Sequence, residues 1–62
     1  KKPNVDGYLI QAQLLYKLDK TEESLDLLRE ALKKYSKEKS IKEKIRDIYL
    51  DLGNTDMANM FN

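Results

Sequence analysis

The chain has no cysteine, no histidine and no tryptophan, and its 62 residues include only one proline and two glycines. Without thiol or imidazole, three things go together: disulfide cross-links, the usual transition-metal ligand sets, and the side chains that most often move protons near neutral pH. Two glycines cannot build a phosphate-cradling loop. No apolar run comes near the ~20 residues of a membrane span, and no signal-peptide core is evident. With no cysteine present, the chain is expected to be soluble and intracellular, in the cytoplasm. Neither sign of charge dominates, since twelve Lys and Arg face eleven Asp and Glu for a net +1. There is thus no global electrostatic argument for nucleic acid or an anionic membrane as partner. Glu22, Glu23 and Asp26 do cluster, but in the first turn of an expected helix, where acids suit the helix dipole. The expectation is therefore no enzyme, no cofactor and no metal.

What remains is helix former. Tyr8, Ala12, Leu15 and Leu18 fall at helical spacing, and Leu9, Leu14 and Tyr16 widen that face until little of the helix is left to water. Leu25, Leu28, Leu32 and Tyr35 line one side of a second segment, with Leu27 and Ala31 beside them and charges opposite. Ile41, Ile45, Ile48, Tyr49 and Leu52 make the third stripe, against Lys42, Glu43, Arg46 and Asp47. The spacing predicts helices over 6–18, 21–35 and 40–52, with a short fourth from 55. A chain of this length supports one domain, residues 1–62, and a single small core.

The boundaries have their own chemistry. Ser40 with Glu43 reads as a capping box opening the third helix, and Asp19 or Thr21 as the cap of the second. Gly53 is placed to stop the third helix in the left-handed conformation, with Asn54 or Thr55 capping the next. Turns this short make sequential helices antiparallel neighbours.

Displacing the chain along itself until Leu14 falls on Ile48 also sets Leu15 on Tyr49, Leu18 on Leu52, Thr21 on Thr55, Ser24 on Ala58 and Leu27 on Phe61. Helix and turn coincide, and the displacement, about 34 residues, is the tetratricopeptide period. From about Val5 onward the sequence resembles that family over one unit and roughly two thirds of another. Tyr8, Ala12, Ser24 and Ala31-Leu32 carry the resemblance in the first unit, and Ile45, Tyr49, Gly53 and Ala58 in the second. The departures are Asp19 where glycine is usual, Ser36 for the closing proline, Gln11 for a leucine and Arg46 for a small residue. Pro3-Asn4 looks similar to the tail of a preceding unit, displaced by one position, and the pattern is unfinished at Phe61-Asn62, so the chain reads as a piece of a longer protein. The offset disfavours the pentatricopeptide family, whose longer unit would put the second repeat out of phase.

The resemblance implies an all-α fold of antiparallel hairpins stacked as a right-handed superhelix fragment, three helices plus a short fourth. It also implies a non-enzymatic scaffold or adaptor that binds a peptide or helix in a concave groove. On that resemblance the groove residues are Leu9, Gln13, Tyr16, Lys17, Glu43, Asp47, Leu50 and Asp51. Glu43, Asp47 and Asp51 stand four apart, so they form one acidic ridge, and a partner of basic character would relieve its repulsion. The carboxylate clamp of some family members is missing, because Leu9, Gln13 and Lys44 occupy its positions. The short fourth helix leaves an apolar edge that further repeats, a second copy or a partner helix would close. A second functional reading uses the segment from Arg29 to Arg46, with eight basic and three acidic residues, as an RNA-binding surface with Tyr35 for stacking. Ordinary solvated lysines at a helix C-terminus explain the same segment.

Overall fold

The computed structural model describes residues 5–61, and the Pro3-Asn4 reading lies outside them. Four helices follow in order: α1 Val5–Lys17, α2 Thr21–Lys34, α3 Lys39–Asp51 and α4 Thr55–Asn59. All lie within a residue of the spacing-based ranges at the ends those ranges named, and no strand occurs among the described residues. Two helical hairpins result, α1 with α2 and α3 with α4, and α3 also packs on α2 and α1. The Cα envelope measures 37 × 25 × 13 Å. Since packed helix axes stand ~8–10 Å apart, the thinnest dimension holds two layers, and every helix keeps a side toward solvent.

The core forms where the apolar stripes meet. Ala12 from α1, Leu28 and Ala31 from α2, and Ile41 and Ile45 from α3 lose all contact with solvent, with Val5, Leu25, Ile48, Tyr49 and Ala58 nearly so. Small residues sit where helices approach closely. Ser24 is fully buried, and its hydroxyl donates to the Ala12 carbonyl at 2.7 Å, which satisfies the one buried polar side chain in this cluster. Tyr8 meets Tyr35 edge to face at 6.2 Å between centroids, and Tyr49 stacks on Phe61 at 6.1 Å, so the aromatic rings close the two hairpins.

The repeat offset reappears in the backbone. Asp19 at φ 65° and Gly53 at φ 78° are the left-handed residues of the described chain. Each closes its helix with the same two bonds: Lys20 N–H to Leu15 at 2.9 Å and Asp19 N–H to Tyr16 at 3.1 Å, then Asn54 N–H to Tyr49 at 2.8 Å and Gly53 N–H to Leu50 at 3.0 Å. These are paired Schellman closures. Asn54 then caps α4 as expected, its Oδ1 accepting from the Met57 N–H at 3.2 Å.

Other local expectations need correction. The Ser40–Glu43 capping box does not form: α3 starts one residue earlier, Glu38 is its N-cap, and the Ser40 hydroxyl donates to the Glu38 carboxylate at 3.3 Å. Ser40 lies inside the first turn, so it is no longer at the position from which it could cap. Neither Asp19 nor Thr21 caps α2, because Lys20 is the N-cap without a side-chain bond and Asp19 is spent on the left-handed turn. The first helix is also far wetter than its composition suggests. Ile10, Leu14 and Leu18 are 68%, 57% and 59% exposed. With its neighbours on one side only, α1 buries the Val5–Ala12 face and turns the opposite face to water. Leu52 is likewise exposed, since it follows the last turn of α3 instead of lying within its stripe.

Candidate functional site

Side by side, α1 and α3 enclose a trough. Leu9, Ile10 and Gln13 form the α1 wall and Ser40, Glu43, Lys44 and Asp47 the α3 wall of a cavity of about 420 Å³. Residue numbers rise together along the two walls, so the helices run parallel. Parallel neighbours separated by an intervening helix are what consecutive hairpins in a stack produce.

Two side-chain bonds tie the walls. The Lys44 ammonium donates to the Gln13 side-chain carbonyl, and the Tyr16 hydroxyl donates to the Asp51 carboxylate near the helix C-termini. The Tyr16 hydroxyl is pushed above the ordinary tyrosine range, first by that hydrogen bond, then by burial and then by the Asp51 charge. Ionising it would lose a donor and set two negative charges together.

Of the eight groove residues named from sequence, Leu9, Gln13, Glu43 and Asp47 line this cavity together. Tyr16 and Asp51 meet across α1 and α3 as a bonded pair. Lys17 and Leu50 are exposed and do not line the cavity. Glu43 and Asp47 are exposed too, so two carboxylates one turn apart look across the trough at Leu9 and Ile10. With the Lys44 ammonium taken up by Gln13, the aliphatic Leu9 and Ile10 and the carboxylates of Glu43 and Asp47 suit a chain that brings both an aliphatic and a cationic side chain. Ile10 and Ser40 escaped the sequence reading. For Ile10 the signal was available, since it stands one turn before Leu14 and off the stripe through Tyr8 and Ala12.

The basic segment is divided by the fold. The Arg29 guanidinium donates to the Tyr49 hydroxyl and lies 3.8 Å from Asp26, and Lys44 faces Gln13 in the trough. Lys34 lies over the Tyr8 ring at 5.9 Å. Arg29, Lys44 and Lys34 are thus engaged on three different surfaces.

The chain matches no family model, no curated protein and no solved structure. Among the described residues, no three acidic side chains gather as a metal-binding group, and no helix is long and apolar enough to cross a membrane.

Proposed function

We propose that the chain is a tetratricopeptide-like interaction module, its hairpins stacked in a right-handed sense, and that the α1–α3 trough holds a segment of another polypeptide. The observation that carries this reading is the trough itself, with Leu9 and Ile10 on one wall and Glu43 and Asp47 on the other. The repeated helix closures at Asp19 and Gly53 support it, because a stack of like hairpins is the architecture that presents such a trough. The ligand is a peptide or helix with basic residues beside an aliphatic one. Its cations meet Glu43 and Asp47 while its aliphatic side chain covers Leu9 and Ile10.

The trough is open and its charges are solvated, so each ion pair contributes little, ~0.2–1 kcal/mol. Affinity therefore rests on several weak contacts, as for an adaptor that releases its cargo readily. The module works without catalysis, by holding one chain near another. An RNA-binding role is the weaker reading, because Arg29, Lys34 and Lys44 are turned to separate surfaces.

A peptide array probed with the wild-type protein and with Asp47→Lys tests the proposal. Asp47 is exposed, so the reversal leaves the fold intact. Basic peptides should be retained by the wild type and lose about three- to tenfold in affinity with the variant. Identical profiles for the two proteins would remove the trough as the binding surface.

A further inference from the structure

A second groove, about 390 Å³ in volume, lies between α1 and α2, with no residue of α3 in its lining. It is lined by Leu14, Leu15 and Leu27 with Gln11 beside them, and by the acids Glu23, Asp26 and Glu30 of α2. The three acids are spaced three and four residues apart, so they make one ridge along α2. Beside the groove, Leu14 and, just past the end of α1, Leu18 extend the apolar surface, both more than half exposed.

The internal repeat indicates what shape belongs there. Ile48 is the repeat counterpart of Leu14 and is 3% exposed, whereas Leu14 is 57% exposed. Ile48 lies in α3, and α3 packs on the helices of the first hairpin. Packed helices therefore bury that position in the second unit, whereas Leu52, the counterpart of Leu18, stays 52% exposed. The covered face there is wholly aliphatic, Ile41, Ile45 and Ile48, but the matching positions of the first unit are Gly7, Gln11 and Leu14. The first unit thus offers a narrower apolar strip bordered by a polar edge, room for one helix rather than a broad hairpin face.

We propose that this face docks a single amphipathic helix from a partner protein, with leucine-like residues on its inner side and lysines or arginines along the flank that meets Glu23, Asp26 and Glu30. The apolar strip supplies affinity and the acidic ridge fixes the orientation and excludes acidic helices. Within the ridge Asp26 also faces Arg29 at 3.8 Å, so Glu23 and Glu30 are the acids without a cation of this kind beside them in the groove lining. This surface lies apart from the α1–α3 trough, and each can fail without the other.

The test uses two synthetic peptides of about 14 residues, both with leucines at alternating three- and four-residue spacing, one with lysines along a flank and its twin with glutamates there. Binding to the full chain is followed by fluorescence anisotropy, with circular dichroism on every variant. The lysine peptide is expected to bind about tenfold or more tightly than its twin. Leu14→Glu, at an exposed site, should weaken binding about tenfold or more with helicity unchanged, and Glu23→Lys with Glu30→Lys should reverse the preference between peptides. Because the trough also takes basic segments, each comparison is repeated in the Asp47→Lys background, where the effects of Leu14→Glu and of the double reversal should persist. Equal binding of both peptides, or binding lost with Asp47→Lys and kept with Leu14→Glu, would overturn the proposal. So would concentration-dependent self-association in light scattering that Leu14→Glu abolishes, because the face would then belong to a second copy.

Discussion

Asp19 and Gly53 occupy equivalent places in the two repeat units and hold the same left-handed backbone, φ 65° and 78°, at the ends of α1 and α3. Glycine adopts this conformation at no steric cost, whereas an aspartate is strained there. A Cβ at Gly53 would meet nothing within 4 Å, so the penalty of a side chain at that site is conformational only. Asp19→Gly should therefore stabilise the protein by ~0.5–1 kcal/mol and Gly53→Ala destabilise it by about as much. Thermal melts by circular dichroism would move a few degrees in opposite directions. Shifts of the same sign would contradict the equivalence of the two turns.

Ser24 is the next point of leverage. Its hydroxyl is buried against the Ala12 carbonyl at 2.7 Å, where α1 meets α2. Ser24→Ala removes one bond and should cost ~0.5–1.5 kcal/mol. Ser24→Leu forces the hairpin open and should cost more, ~1–3 kcal/mol from overpacking. Urea titration measures both, and a leucine variant as stable as the wild type would mean that the two helices are not in close contact there.

The bond from Tyr16 to Asp51 makes stability depend on pH at the alkaline end. The folded value for Tyr16 lies above its ordinary 10.0, so the stabilisation is fully present below that pH and is lost as pH rises through the folded value. Spectrophotometric titration of the tyrosinate band should contain a component later than a peptide tyrosine, and Tyr16→Phe should remove it. With Asp51→Asn the shift should shrink, because the charge is lost even where a hydrogen bond survives. A titration curve unchanged by Tyr16→Phe would show that the two side chains do not meet.

The interior of the second hairpin gives the largest expected loss. Ile45 has no exposure to solvent, and Ile45→Ala deletes its packing against both hairpins, at ~2–5 kcal/mol. For a domain of this size, such a loss is comparable to the whole stability. Circular dichroism of the variant should show a largely unfolded chain at room temperature.

Much of this architecture was legible in the sequence. Ile41, Ile45 and Ile48 and the Leu25–Leu28 pair announced α3 and α2 because a stripe at helical spacing has no other way to bury itself. Gly53 and Asn54 announced their turn for equally local reasons. Leu14 and Leu18 were misread because periodicity identifies apolar residues without saying how many sides of a helix have neighbours, and α1 has them on one side only. Ser40 and Glu43 satisfied the capping-box pattern, but the N-cap fell two residues earlier, at Glu38, and a shift that small disables the motif. Half of the groove residues read from the family resemblance share one cavity, and Lys17 and Leu50 fall outside it, since a repeat register fixes the helix face and not the depth of the trough.

If the trough between α1 and α3 receives a basic segment of another chain, as proposed, both of its walls should respond to one. The most direct test is an amide chemical-shift titration of the isotope-labelled protein with a lysine-rich peptide carrying one leucine. The account predicts that the largest shifts gather at Leu9, Gln13, Glu43 and Asp47, on two helices distant in sequence. Shifts confined to α2, or spread evenly along the chain with no cluster on those four residues, would contradict it.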